Sequence, residues 1–338
     1  TDSYAAYSQA TLKILPKLEF TAGGRYTWDD RSAVYDVFNP NTTMFFVRAN
    51  EHTLLAQDDD RFNYRLNLAY KPTRDLMLFA THSTGYKAGA FNNGTGTPAL
   101  GQRRLVGPET VKNYELGVRS QWLDRRLTAN LTLYRMDVKG FQDRGFDGVT
   151  SVIRNAGDLR HQGFEGELSW RVANGLSFSS GVQYLDSKFT DYVGAPGLPG
   201  KGGTQDLTGK SATFTPKWQG NVAADYERDL TASGWRLKLH GDVAFQSKSN
   251  VGLINDNNPQ TIQKGYALLG AQLGVVAPNG LSFSLFGQNL GGKDYCSQYY
   301  NVILDSVLGL RDPVSGGTGQ RCVIGAPRTY GARVGFKF

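Results

Sequence analysis

The sequence TYGARVGFKF, residues 329–338, alternates two kinds of side chain. Apolar and aromatic residues occupy every second position from Tyr330 to Phe338, and glycine, arginine or lysine occupies the positions between them. A period of two is typical of a β-strand, because successive side chains leave opposite faces of the sheet. The segment therefore predicts a strand whose two faces contact two different solvents.

The same alternation recurs in the interior of the chain. The segments RFNYRLNLAY (61–70), RLTANLTLY (126–134) and WRLKLHGDVAF (235–245) each place aliphatic or aromatic residues at alternate positions. The helical period of 3.6 residues fits none of them. The sequence therefore predicts an all-β chain.

Short turns alternate with long polar connections. Asn-Gly pairs at 174–175 and 279–280 supply the positive φ that tight hairpins require. We expect thirteen strands, at residues 2–14, 18–31, 59–71, 75–89, 109–122, 126–142, 157–171, 175–191, 216–229, 234–247, 264–276, 281–295 and 328–338. The long connections lie near residues 30–58, 90–108, 143–156, 193–214, 248–263 and 297–326. Short turns at one end of a sheet and long loops at the other are typical of outer-membrane barrels.

The composition is compatible with such a barrel. Hydrophobic residues make up 40% of the chain, and no run of eighteen apolar residues could form a membrane-spanning helix. A transmembrane barrel exposes only alternate residues to lipid, so its average hydropathy is ordinary. Trp122, Trp170 and Trp235 lie beside short turns, where an interfacial aromatic belt is expected. The net charge of +7 is spread along the strands without a cluster, which argues against a nucleic-acid partner.

The strand count is odd, so the first and last strands run in the same direction. Bacterial single-chain barrels close with an even number of strands, because an unpaired edge is not tolerated in lipid. The sequence therefore predicts an antiparallel transmembrane β-barrel of which about 13 strands are present, unless the count is in error by one.

Several segments resemble the TonB-dependent outer-membrane receptors of Gram-negative bacteria. They are ETVKNYELGVRSQWLDRRLTANLTLYRMDVKGFQDR (109–144), NAGDLRHQGFEGELSW (155–170), FGQNLGGKDY (286–295) and the terminal strand. The resemblance covers essentially the whole chain. It implies that residues 1–338 are the C-terminal portion of a 22-stranded barrel, with an N-terminal plug and a TonB-binding segment outside this sequence. The aromatic strand faces would then contact the lipid bilayer and the polar faces the lumen.

The resemblance also implies roles for lumen-facing residues. By strand phase Glu115 and Glu165 point to the lumen, and in related receptors glutamates in these motifs pair with plug arginines; Glu167 is a third candidate. Ordinary hydrated lumen residues are the alternative. Lumen-facing arginines would make the interior positive, which either favours anionic ligands such as ferric chelates or balances acidic residues on the plug. These arginines are Arg25, Arg65, Arg119, Arg236 and Arg333.

Ligand contacts in such receptors come from the extracellular loops and the upper wall. Aromatic and basic side chains there are candidates, namely Tyr86, Lys87, Phe91, Arg103, Arg104, Phe141, Arg144 and Phe146. Cys296 and Cys322 flank a long polar stretch and form either a disulfide or two independent thiols. The terminal Phe338 resembles the signal read by the barrel-assembly machinery.

The resemblance implies TonB-energised uptake of a ferric siderophore or a similar scarce ligand, without covalent chemistry and without a cofactor. The four histidines show no metal-ligand spacing, and no G-x-S-x-G motif indicates a hydrolase. The carboxylates of QDDDR (57–61) could bind calcium or lie at a hydrated strand entrance. A passive diffusion porin, a barrel enzyme, and uptake of carbohydrate or cobalamin are the alternatives to iron uptake.

Overall fold

The computed structural model describes residues 1–38, 40, 50–92, 104–146, 151–199, 203–230, 234–302 and 319–337. Its dominant element is one antiparallel sheet of thirteen strands, in which each strand pairs with its neighbours in chain order. The strands are β1 (Asp2–Leu15), β2 (Leu18–Val37), β3 (Glu51–Thr73), β4 (Leu76–Lys87), β5 (Glu109–Trp122), β6 (Leu127–Lys139), β7 (Asp158–Ala173), β8 (Leu176–Asp191), β9 (Trp218–Asp229), β10 (Arg236–Gln246), β11 (Tyr266–Val276), β12 (Leu281–Gln288) and β13 (Thr329–Phe336).

The predicted connection at 30–58 is wrong at both of its ends. Strands β2 and β3 continue past it in unbroken register, from Arg31 opposite Gln57 to Val37 opposite Glu51. Both segments keep the alternation of a strand, although their side chains are polar enough to look like a loop. The aspartates of QDDDR point alternately to the two faces, so they do not form the cluster that calcium requires.

Strand β12 is shorter than predicted and ends at Gln288. The next residue, Asn289, has a φ of 49°, which interrupts the extended backbone. Its side-chain amide donates to the carbonyl oxygen of Lys293 at 2.9 Å, and its Oδ1 accepts from the Lys293 backbone N–H at 2.8 Å. This Asn side chain therefore closes a turn where the sequence suggests a continuing strand.

The long connections contain short hairpins that the sequence does not predict. Hairpin 1 pairs Ala90–Phe91 with Leu105–Val106, and hairpin 2 pairs Gln142–Phe146 with Ser151–Asn155. The others are hairpin 3 (Val193–Pro196 with Thr204–Asp206), hairpin 4 (Ser249–Asn250 with Ile262–Gln263, with a 3-10 turn at Pro259–Thr261 directly before the second strand) and hairpin 5 (Cys296–Asn301 with Gln320–Ile324). All lie at the end of the sheet opposite the short turns.

Cross-strand register defines the two faces of the sheet. Leu133 lies opposite Leu116 and Phe164, and Phe164 lies opposite Tyr184, so these side chains share one face. The adjacent row on the other face places Glu165 opposite Gln183. One face is thus apolar and the other polar, as strand phase predicts. The apolar face is called outward below, and the polar face is called the lumen face.

The principal buried apolar cluster does not lie between two sheets. It comprises described residues from the loop end, namely Val138, Ala156, Leu159, Phe189, Tyr192, Ala195, Leu207 and Ala212. The aliphatic residues in the middle of the outward face stay exposed, as Leu116 at 59% shows. This distribution is opposite to that of a β-sandwich, in which the sheet faces form the core.

The sheet has two free edges. Strands β1 and β13 are the first and last in its order, and they are not paired with each other. The thirteen strands therefore form an open wall. Among the described residues, no helix is both long enough and apolar enough to cross a membrane.

The Asn-Gly turns bring the backbone of the next strand unusually close. Gly175 has a φ of 79°, and its carbonyl oxygen accepts from the Glu227 backbone N–H at 2.7 Å. A Cβ atom at Gly175 would lie 1.9 Å from the Glu227 carbonyl oxygen. Gly280 repeats this arrangement, with a φ of 85° and a hydrogen bond of 3.0 Å from Lys337. Glycine is required at both turns for its φ and for the lack of a side chain.

A positive φ alone costs a non-glycine residue about 1–2 kcal/mol of folding free energy. We expect Gly175→Ala to destabilise the folded wall by more than this, because the new methyl group also clashes with strand β9. The urea midpoint of the full-length protein in detergent measures this loss. Gly209→Ala is the matched control, since Gly209 has a φ of 80° and open space around its Cβ position. Equal losses in the two variants would show that the close approach is unimportant.

Candidate functional site

Three glutamates form an acidic patch on the lumen face, here called the acidic lumen patch: Glu115, Glu165 and Glu167. In register, Glu115 lies opposite Tyr134, Glu165 opposite Thr132, and Glu167 opposite Asn130. Asn113 donates to Glu115 at 2.7 Å and Asn130 donates to Glu167 at 3.3 Å. No lysine or arginine in the described part of the chain forms an ion pair with these carboxylates. The patch therefore presents uncompensated negative charge to the lumen.

Amide and hydroxyl groups continue this polar surface around the wall. Gln183 donates from Nε2 to the Tyr134 hydroxyl oxygen at 3.0 Å, and Gln219 donates to Gln183 Oε1 at 2.5 Å. The chain of hydrogen bonds links strands β6, β8 and β9. Carboxylates beside fixed amide groups suit guanidinium partners, because charge-assisted hydrogen bonds to carboxylates are the strongest of their kind.

A second sector of the lumen face is basic and is here called the basic wall: Arg25, Arg31, Arg61 and Arg65. They come from β2 and β3, where register places them all on the lumen face. None forms an ion pair within the described ranges. The Nε atoms of Arg31 and Arg61 are buried without a hydrogen-bond partner there. Guanidinium groups in this state are suited to an anionic ligand.

The carboxylates in this sector have neutral hydrogen-bond donors. Tyr86 donates its hydroxyl to Asp29, and Asp59 accepts from the Gly89 backbone N–H at 2.8 Å. The sequence missed Arg31 and Arg61 because they lie at the ends of the predicted second and third strands. Following the alternation to the ends of these predicted strands would have placed both on the lumen face.

The other lumen arginines are supported by the wall. Arg119 lies 5.4 Å from the Phe79 ring centroid, and Arg333 lies 5.7 Å from that of Phe286. Arg236 lies 3.8 Å from the carboxylate of Asp229. The register places Arg25, Arg65, Arg119, Arg236 and Arg333 on the lumen face, as strand phase predicts.

The predicted ligand residues of the first long loop have different environments. Lys87 is exposed at the end of β4, and Phe91 is half-buried in hairpin 1. Arg104 has 9% of its side chain exposed, donates from Nε to Glu51 at 2.6 Å and lies 4.3 Å over the Tyr35 ring. Its guanidinium group therefore fastens the loop to β2 and β3. Arg103 lies outside the described residues.

The predicted residues of the next loop are also divided. Phe141 packs against Phe189 with ring centroids 6.1 Å apart and belongs to the edge of the buried cluster. Arg144 is exposed. Phe146 lies in hairpin 2, but its side chain is outside the described part, as is the whole of Phe338. Of the ligand candidates that the structure describes, Tyr86 and Arg104 contact carboxylates on β2 and β3, which are Asp29 and Glu51 respectively.

A buried polar node that the sequence did not reveal joins three of the loops. It is here called the loop node: Asp143, Tyr192, Asn255 and Asp256. Asp143 accepts from the Tyr192 hydroxyl at 2.5 Å and from Asn255 Nδ2 at 2.7 Å. Both aspartates are only 4% exposed. The polar composition of these loops looks solvated, so nothing local in the sequence marks these residues as buried.

Burial governs the ionisation of the loop node. It raises the pKa of the Asp143 carboxyl, against the lowering effect of its hydrogen bonds from Tyr192 and Asn255 and of the Arg154 charge. Burial also raises the pKa of Asp256 to about 6, with a smaller contribution from the Asp143 charge. The Asn258 backbone N–H, 2.9 Å from Asp256 Oδ1, opposes that rise.

Hairpin 5 is attached to hairpin 4, and a disulfide joins its two strands. Cys296 and Cys322 are bonded, with their Cα atoms 5.4 Å apart. Tyr299 donates its backbone N–H to the Val251 carbonyl oxygen at 2.8 Å. The described loops are therefore a connected body above the wall. Within them and the wall, no group of His, Cys, Asp and Glu is arranged to hold a metal ion.

We expect the loop node to become less stable as the pH rises from about 4 to about 6. In this window Asp256 binds a proton in the folded loops but not in the unfolded ones, so its protonation contributes stability that is lost on titration. The loss is about 3 kcal/mol, from a pKa raised from 3.8 to about 6. Hydrogen exchange of the loop amides, corrected for intrinsic rates, measures it.

Asp256→Asn should flatten this pH dependence, because the amide keeps an acceptor for Asn258 and does not titrate. Asp206→Asn is the matched control, since Asp206 is exposed in hairpin 3 and hydrogen bonds from Thr208 lower its pKa. An unchanged pH profile in Asp256→Asn would contradict the assignment of the effect to this carboxyl.

Comparison with known proteins agrees with this geometry. The ferric-pyoverdine M114 receptor PbuA of Pseudomonas sp. (strain M114) is 28% identical over 301 residues, which cover 87% of this chain and 33% of that protein. The pesticin receptor of Yersinia pestis is 24% identical over 306 residues, covering 88% of this chain and 40% of that receptor. The chain thus spans well under half the length of these relatives.

Solved structures show the same fold. The ferric yersiniabactin uptake receptor FyuA from Yersinia pestis superposes with a TM-score of 0.77 at 22% identity, covering 98% of this chain and 45% of that one. The siderophore receptor PiuA from Acinetobacter baumannii gives 0.72 at 17% identity, with 99% and 43% covered. The family profile "TonB dependent receptor-like, beta-barrel" matches residues 1–290. The chain therefore belongs to the TonB-dependent receptor β-barrel family, whose members lie in the outer membrane of Gram-negative bacteria.

Proposed function

We propose that residues 1–338 form the C-terminal portion of the barrel of a receptor that imports a ferric siderophore. The loops and the basic wall would capture the ligand from outside the cell. A plug and a TonB-binding segment, encoded outside this sequence, would couple its entry to the energy of the inner membrane. The chain performs no covalent step in this scheme and needs no cofactor.

The observation that carries the proposal is the basic wall. Ferric siderophores present oxygen atoms and commonly carry negative charge. A partly buried guanidinium group forms stronger hydrogen bonds to such oxygen atoms than a fully hydrated one does. Arg31 and Arg61 have Nε atoms in that condition, on the face that the register assigns to the lumen. The names of the relatives PbuA and FyuA, which refer to ferric siderophores, support the same ligand class.

The acidic lumen patch supports a plug as the second partner. A neutral diffusion channel has no need for three glutamates without a cationic partner, whereas a plug with basic residues would compensate them. We therefore assign Glu115, Glu165 and Glu167 to plug contacts. The free edges of β1 and β13 support further barrel strands, because unpaired backbone groups are costly in lipid.

Uptake of radioactive iron tests the proposal. A strain lacking the gene should fail to import iron from one member of a broad panel of ferric siderophores. Restoring the gene should restore uptake, and a protonophore should abolish it. Uptake that survives the protonophore would indicate a passive porin. Unchanged iron uptake with a lost carbohydrate or cobalamin would refute the iron assignment.

In the same assay we expect Arg31→Gln/Arg61→Gln to raise the half-saturating concentration of the siderophore by about tenfold or more, since each charge-assisted hydrogen bond contributes about 1.5–3 kcal/mol. Arg236→Gln is the matched control, because Arg236 is exposed at the short-turn end and faces Asp229. An equal effect of the control would remove the basic wall from the ligand path.

Removing the acidic lumen patch should loosen the plug. We expect Glu115→Gln/Glu165→Gln to increase the passive entry of a large antibiotic such as vancomycin into cells that express the full-length protein. Glu227→Gln is the matched control, because Glu227 already pairs with Lys238 at 2.6 Å on the same face. Unchanged entry in the double variant would leave these glutamates as ordinary hydrated lumen residues.

A further inference from the structure

A cluster of charged residues lies on the outward face of the wall. The proposed transport function uses the lumen face and does not explain these charges. The group is here called the outer charge cluster: Lys112, Arg135, Asp137, Arg160, Asp186 and Lys188. The register places Arg135 opposite Tyr114 and Asp137 opposite Arg160, on the face that carries the aliphatic residues. Arg160 in turn lies opposite Lys188 on β8. The cluster therefore spans four adjacent strands, β5 to β8.

Three of the cluster's cations, Arg135, Arg160 and Lys188, are held in place by neighbouring carboxylates. Asp137 accepts from Arg160 Nε at 2.6 Å and from Arg135 Nε at 3.0 Å. Lys188 lies 2.9 Å from Asp186. The three cationic side chains are 37–52% exposed, whereas the two carboxylates are 15–27% exposed. Positive charge therefore faces the surroundings, and with Lys112 the cluster has a net charge of +2.

The cluster lies immediately beyond an aromatic row on the same face. Phe164, Tyr184 and Trp218 contact one another, with ring centroids 5.0–5.9 Å apart. Such aromatic residues mark the boundary between hydrocarbon and headgroups. Gln162 and Arg160 follow Phe164 along β7 toward the long loops, at about 7 and 13 Å. The long-loop end is the extracellular one in barrels of this type, so the cluster lies at outer headgroup depth.

The described strands β2 and β3 carry the opposite charge at this depth. On β2 and β3, the outward residues just beyond the aromatic row are acidic, with Asp30 opposite Asp58 and Asp60 opposite Trp28. The basic sector is thus not a uniform property of the barrel rim. Charges at a lipid-facing position are tolerated near the interface and gain energy there when headgroups supply the opposite charge.

We propose that the outer charge cluster binds the phosphate groups of lipopolysaccharide in the outer leaflet. Arg135, Arg160 and Lys188 donate to the phosphate oxygens, and Asp137 fixes the two guanidinium groups at the spacing of that contact. The acyl chains of the same lipid pack on Phe164, Tyr184 and Trp218. The partner is thus recognised jointly by phosphate and by hydrocarbon.

Binding of lipid A to the full-length, delipidated protein in detergent tests this site by native mass spectrometry. We expect bisphosphorylated lipid A to bind and a phosphate-free analogue of equal acyl content to bind at least about tenfold more weakly. Equal binding of the two lipids would overturn the proposal. Inorganic phosphate that competes as effectively, mole for mole, as lipid A would overturn the role of the acyl chains.

Arg160→Gln should weaken lipid A binding by about tenfold. Arg228→Gln is the matched control, because Arg228 is exposed and by register outward-facing, but lies at the short-turn end of β9. Equal weakening in both variants would overturn the proposal. If Arg160→Gln does not assemble, Lys188→Gln gives the same comparison at the neighbouring strand.

Discussion

Hydrocarbon offers no hydrogen-bond partner to a peptide group, and this constraint governs the whole wall. Every backbone N–H and C=O inside the bilayer must be paired with a neighbouring strand. Once pairing is fixed, side chains alternate between the two faces, and a shift of one residue would exchange lipid-facing and lumen-facing sets. A single register therefore sets both the pairing of Phe164 with Tyr184 and the pairing of Glu165 with Gln183. Lipid contact and lumen chemistry are fixed together.

The wall uses one packing device in two distant places. The Phe79 ring covers Gly117 and lies beside Arg119, and the Phe286 ring covers Gly331 and lies beside Arg333. In both places a Cβ atom on the glycine would fall within 2.4 Å of the ring. The ring thereby shields a bare stretch of backbone and supports a lumen arginine, as aromatic residues do for sheet glycines elsewhere.

The sequence predicted what depends on strand period and could not predict what depends on contacts between distant segments. Glu115 and Glu165 were placed on the lumen face because alternation needs only neighbours in sequence. The loop node needed Asp143 to meet Asn255, 112 residues away. Likewise the pairing of Arg104 with Glu51 bridges 53 residues, so nothing local in the sequence indicates that this ligand candidate also fastens a loop. Polar composition alone does not distinguish a solvated loop from a packed one.

The basic wall and the acidic lumen patch lie on different strands of the lumen face. The basic wall lies on β2 and β3, and the acidic lumen patch lies on β5 and β7. A body that fills the lumen therefore meets opposite charges on two of its sides. Complementary charge on that body would fix its rotation as well as its affinity, because every other orientation places like charges together. Carboxylates on that body and an anionic ligand would then be alternative partners for the arginines of the basic wall. Orientation of the plug and access of the ligand to the basic wall would then follow from one distribution of charge.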